Sequence, residues 1–164
     1  MTENKEKIRK VSVICAKGSL EDVYASLVMT NGARMEGIEA NIFFTFFGLD
    51  AITKRKMNKL HTATVGNPAM EMPGGIPFPT IIGMIPGVEA GVSAMMRKEM
   101  DKLDIPPVEE FLDMIHASGA KIYACKLAVD MFKLKMEDMY DDIDGVLTIG
   151  EFYEKAAGGQ IIFT

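Results

Sequence analysis

A cysteine in the stretch KIYACKLAVDMF, residues 121–132, sits where the apolar rhythm of the chain changes. Up to Cys125 the run suits a buried strand, whereas beyond Lys126 the apolar Leu127, Met131 and Leu134 recur at helical spacing. A thiol at a helix start faces backbone N–H groups that have no intrahelical partner, together with the positive end of the helix dipole, and both favour thiolate over thiol. Lys126 adds a local cation. These influences lower a thiol pKa from its usual value of about 8.5 toward neutrality and make Cys125 a candidate nucleophile. The plain alternative is a small buried side chain at an ordinary strand end. Cys15, at the end of KVSVICA, is a second candidate thiol and reads as the more enclosed of the two. No C-x-x-C spacing joins them, so dithiol oxidoreductase chemistry has no foothold.

A second group lies in AKGSLED, where Lys17, Gly18 and Ser19 precede a helix whose first N–H groups form a ready anion site. The spacing is neither G-x-G-x-x-G nor a Walker sequence, and a plain turn and cap explains it equally. Lys17, Gly18, Ser19 and Lys126 are the candidate substrate-binding residues. His61 and His116 have no metal-ligand spacing to either cysteine, so no metal is expected. His61 follows the basic segment TKRKMNKLH, which suits a helix surface or an anion-attracting one. There is no G-x-S-x-G elbow and no paired-carboxylate motif, so serine hydrolase and glycosidase readings have no support.

The elements that must position these residues alternate. Residues 10–16 read as a buried strand, Ser19 as the N-cap of a helix ending at Gly37, and EANIFFTFFGL as a strand covered on both sides through Phe47. The second half repeats the alternation, with helix VEEFLDMIHASG, strand AKIYAC, helix KLAVDMFKL, a short helix MEDMYD, strand DGVLTIG, helix EFYEKAA and strand GQIIFT. Such alternation predicts an α/β fold: a three-layer, flavodoxin-like, open and mainly parallel five-stranded sheet with helices on both faces. In such a sheet, reacting groups collect outside the carboxyl ends of the strands, where Cys15 and Cys125 both fall.

Residues 67–87, rich in proline and glycine on an apolar background, read as a long loop, followed by a helix over 88–103. Apolar loops of this length seldom float in water, so this one should cover a site or a neighbouring subunit. The chain of 164 residues suits one domain, 1–164, with a polar tail at 1–9. Its 18 Lys and Arg against 23 Asp and Glu argue against nucleic acid or anionic lipid as partners. The polar opening MTENKEKIRK predicts no secretory signal and a cytoplasmic protein with free thiols. Membrane contact through IPFPTIIGMIP lacks the basic amphipathic helix that usually accompanies it.

Taken together, KGSLEDVYASLVMTNGA, NIFFTFFGL, YACKLAVDM and the loop GIPFPTIIGMIPGVEA resemble the DsrE/DsrF/DsrH-like proteins of sulfur relay, over about Val11 to Thr164. The resemblance implies a homo-oligomer and an A-C-x-x-x-x-D-type segment, here Ala124, Cys125 and Asp130, whose cysteine carries sulfur. It implies a sulfur carrier or sulfurtransferase that accepts a sulfane sulfur or thiosulfonate group from a small donor, such as polysulfide or a thiosulfate-like species. The group then passes to a TusA-like carrier or another relay protein, and no cofactor is needed. Relatives often carry a small hydroxyl residue where Ala128 stands and a glycine near Lys133. The competing expectation is a non-catalytic binding or assembly module that uses the Met-rich loop and helix of residues 67–103.

Overall fold

The computed structural model describes residues 7–65, 69, 71, 72 and 74–164. The expected 1–9 tail therefore lies mostly outside the described residues, as does part of the 67–87 loop.

The main sheet is built from β1 (Lys10–Cys15), β2 (Glu39–Phe44), β5 (Lys121–Cys125), β6 (Gly145–Leu147) and β7 (Gln160–Phe163), in the order β6-β5-β2-β1-β7. Every neighbouring pair in it is parallel. Two short strands, β3 (Glu71–Met72) and β4 (Ile76–Pro77), pair antiparallel by themselves inside the long connection. The α-helices are α1 (Leu20–Met35), α2 (Val88–Asp101), α3 (Val108–Ala117), α4 (Lys126–Met131) and α5 (Ile149–Ala156).

Register and side-chain alternation assign the faces. Cys15 pairs with Phe44, and Phe44 with Ala124, so these three share a face. That face receives α1, with α3 packed beside it. The other face carries α5: Phe43 stacks on Phe152 at 4.5 Å between ring centroids, and the Asn41 amide donates to the Lys155 carbonyl at 3.2 Å. The connection through α5 runs back across the sheet to the opposite edge, which a right-handed crossover allows only on that second face. Val13, Leu27, Ile42, Phe43, Phe44, Leu112, Ile115 and Ile122 are sealed between the layers and form the core.

Three elements differ from the pattern in the sequence. The apolar run through Phe47 is not one strand: β2 stops at Phe44, Phe46 takes a φ of 45°, and a 3-10 helix follows over Phe46–Ile52. Apolar character was continuous because the 3-10 helix also buries Leu49, Ala51 and Ile52. The helix after Cys125 has only six residues. The long connection is more ordered than a plain loop, holding the β3–β4 pair and a 3-10 turn over Thr80–Met84.

The cap of α1 is as the sequence indicates, since the Ser19 hydroxyl accepts from the Asp22 amide at 3.4 Å. At their C-terminal ends α1 and α3 close on Gly37 (φ 72°) and Gly119 (φ 92°), each followed by an amide returning to the last turn.

Candidate functional site

Cys125 is the last residue of β5 and the N-cap of α4, still in extended backbone at φ −76°, ψ 119°. Sequence and structure agree on that placement. The thiol is less open than expected, with the residue only 2% exposed. Its sulfur makes no capping bond to the α4 amides, and a helix of six residues, under two turns, carries a small dipole. The cation expected beside it points elsewhere: Lys126 Nζ lies 3.2 Å from Asp130 Oδ2, one turn along the exposed side of α4. Lys126 also helps, after the Thr148 amide and hydroxyl, to hold the Glu151 carboxyl below its ordinary range.

The α4 segment that follows the buried thiol carries an apolar, outward-facing surface. Leu127 (64% exposed) and Met131 stand on α4, Phe132 caps it, and Phe47 (63% exposed) meets Phe132 at 5.9 Å between centroids. Phe46, Phe47 and Phe132 are the residues that reading the sequence missed. For Phe46 and Phe47 the sequence signal was the FFTFF run, which an uninterrupted strand absorbed, and Phe132 stood unremarked at the end of KIYACKLAVDMF. The Phe46–Ile52 segment is pinned below by Gly48, whose N–H donates to the Ala16 carbonyl at 3.2 Å and which leaves no room for a Cβ against the Cys15 carbonyl.

Cys15 is not brought to Cys125. It lies two strands away on the α1 face, while Cys125, one residue past the Ala124 level, points to the α5 face. Its thiol donates to the Lys17 carbonyl at 3.5 Å. Burial pushes its pKa up to about 11, against the smaller lowering effect of a hydrogen bond to Ser26. A thiol so placed stays protonated at neutral pH and has no access to solvent, so the expectation of a second working thiol does not fit its surroundings.

Lys17, Gly18 and Ser19 do lie together, at the carboxyl end of β1, where they line a cleft of about 640 Å3. Phe47, Asp50, Arg55, Lys56, Lys59, His61 and Glu89 line it too, and Cys125 does not. The candidate substrate-binding residues therefore divide between two places, Lys126 at α4 and the other three in the cleft. Gly18 is required there by proximity, because a Cβ would come within 2.5 Å of the Phe47 carbonyl oxygen. The basic segment contributes by folding over the β1–α1 turn: the Leu20 amide donates to the His61 carbonyl at 2.9 Å, and the Ala63 amide to Glu21 Oε1 at 3.0 Å. His61 pairs with Glu89 at 3.1 Å. His116 Nε2 lies 3.7 Å from Asp144 Oδ2, near the start of β5. Among the described residues no three His, Cys, Asp or Glu side chains gather as a metal site would require, and no helix is long and apolar enough to cross a membrane.

Comparison with known proteins bears on this arrangement. The family model described as the DsrE/DsrF/DrsH-like family matches residues 7–163. The sulfur carrier protein DsrE2 of Allochromatium vinosum is 33% identical over 157 residues, spanning 93% of this chain and 96% of its own. YrkE of Bacillus subtilis is 24% identical over 147 residues, spanning 85% of this chain and 86% of its own. Two solved structures share the fold at 10% identity, each covering 96% of this chain and all of the other: the YchN protein of E. coli, with a TM-score of 0.55, and MTH1491 of Methanobacterium thermoautotrophicum, with 0.53.

Proposed function

Because this chain belongs to the DsrE/DsrF/DrsH-like family, we propose that it acts in sulfur relay by carrying a sulfane sulfur or thiosulfonate group on Cys125. The observation that carries the assignment to this residue is the position of Cys125 at the carboxyl edge of the sheet, at a helix start, while the other cysteine is hydrogen-bonded to the Lys17 carbonyl and burial pushes its pKa up. Similarity to a sulfur carrier along almost the whole chain supports the relay role.

In the reaction proposed, the Cys125 thiolate attacks the sulfane sulfur of a small donor such as polysulfide. An S–S bond forms, the donor's S–S bond breaks, and the shortened donor leaves as a thiolate. An incoming partner thiolate, on a TusA-like carrier or another relay protein, then attacks the outer sulfur and releases Cys125 as thiolate. Two exchanges balance without net oxidation, so no metal or organic cofactor enters. Since Cys125 is 2% exposed, the cycle needs the short α4 or the Phe46–Ile52 segment to move aside at each transfer. Leu127, Met131, Phe132 and Phe47 supply the apolar rim against which a partner would exclude water.

Mass spectrometry after incubation with polysulfide or tetrathionate tests this reading. The wild type and Cys15→Ser should gain the adduct and Cys125→Ser should lose it. An equal adduct on Cys125→Ser overturns the assignment.

A second reading, a binding or assembly module built on residues 67–103, is favoured by one observation: Ile81 (73% exposed), Met84 (70%) and Ile85 stand out from the 3-10 turn and its end with nothing over them among the described residues. Homo-oligomerisation through this segment is compatible with the carrier role.

A further inference from the structure

We infer that the cleft between the β1–α1 turn and the 53–63 segment binds an oxyanion of the sulfate, thiosulfate or phosphate class. Charge is the first argument. The cleft lining has four Lys or Arg side chains, Lys17, Arg55, Lys56 and Lys59, against two carboxylates, Asp50 and Glu89, in a protein whose formal net charge is −5. Both carboxylates are already engaged, Asp50 with Lys56 at 2.6 Å and Glu89 with His61 at 3.1 Å. Lys17 pairs outside the lining, with Asp22 at 3.3 Å. Arg55 and Lys59 have no carboxylate partner among the described residues, so two full positive charges share one concavity unneutralised. Like charges held together inside a cleft raise its potential and concentrate counter-anions, and a guanidinium beside an ammonium suits an oxyanion with several acceptor oxygens.

Backbone is the second argument. The amides of Gly18 and Ser19 donate to no acceptor among the described residues, whereas that of Lys17 is turned to the Cys15 sulfur, and the two free ones lead into a helix of 16 residues, whose N-terminus is positive. An ordinary helix start shows as much. Here a separate segment, tied down by the Leu20–His61 and Ala63–Glu21 hydrogen bonds, places the free cations in the lining of the same concavity. Its volume of about 640 Å3 lies within the range of small-molecule sites, so the oxyanion is either free or the terminal group of a small ligand.

The site stands apart from the carrier role of Cys125 and does not depend on it. Its test is a titration of the full chain with sodium thiosulfate, and separately with inorganic phosphate, at constant ionic strength set by chloride and followed by the amide resonances of Gly18 and Ser19. Saturable shifts are expected with at least one of the two, and the tighter one identifies the class of source. The double variant Arg55→Ala/Lys59→Ala, altered only at exposed side chains, should bind at least about tenfold more weakly. Cys125→Ser, which decides the carrier reading, should bind as the wild type does, so the two claims fail separately. Equal affinity in the double variant, or shifts no larger than those produced by chloride, would overturn the inference.

Discussion

The two cysteines show how far identical side chains diverge when strand register places them differently. Cys15 and Cys125 both end a parallel strand, yet a one-residue offset in level sends one to the α1 face and the other to the α5 face. For Cys15 the consequence is measurable. Its folded pKa of about 11 lies above the ordinary value of 9.0, so between these pH values the unfolded chain releases a proton that the folded chain keeps. The stability this thiol contributes is therefore whole below pH 9 and falls as pH rises toward 11. Denaturation midpoints of the wild type should decline across that interval more steeply than those of Cys15→Ala. A parallel decline in both proteins would show that the thiol does not titrate as its burial requires.

At the scale of elements, α4 is the piece whose construction bears on sulfur access. It ends as α1 and α3 do: the Lys133 amide donates to the Asp130 carbonyl at 3.2 Å and the Leu134 amide to that of Val129 at 3.0 Å. In α1 and α3 the left-handed residue at this point is glycine, whereas in α4 it is Lys133, at φ 54°. A Cβ in that conformation costs about 1 kcal/mol. Lys133→Gly should therefore stabilise the protein by about 1 kcal/mol, read from chemical denaturation. No gain, or a loss, would mean that the lysine side chain contributes a contact outweighing its backbone strain. Phe46, at φ 45° with its ring half exposed, is held in the same left-handed region at the end of the adjacent strand. Left-handed non-glycine residues thus follow both α4 and β2, the strand paired with β5, and the carrier role proposed for Cys125 would draw on movement of these segments.

Among the described residues, exposed apolar side chains gather on the long connection. Around the 3-10 turn of Thr80–Met84 the exposed Ile81, Met84 and Ile85 lie near where Gly83 packs on Thr64, so the turn is anchored while its apolar side faces outward. Such a patch favours self-association. Sedimentation velocity over a concentration series should show a homo-oligomer, with Ile81→Asp/Met84→Asp raising its dissociation constant at least about tenfold. A wild type that stays monomeric at high micromolar concentration would leave this surface without that role.

Alternation of β-branched and helical runs, the Ser19 cap with Asp22, and glycines after α1 and α3 are local features, so residues 10–44 and most of 108–163 announced their elements, the mainly parallel sense of the sheet and the strand-end position of Cys125 in sequence alone, though not the shortness of α4. Local rules work there because each element satisfies its own backbone and buries one face. The end of β2 was not legible, since a buried 3-10 helix and a buried strand show the same apolar continuity. Nor was the cleft. TKRKMNKLH and KGS are separated by α1 and β2, and only the packing of residues 53–63 across the start of α1 makes them neighbours. The burial of Cys125 and the turning of Lys126 toward Asp130 were likewise decided in three dimensions, because exposure and ion pairing depend on what other segments cover, which no spacing along the chain encodes.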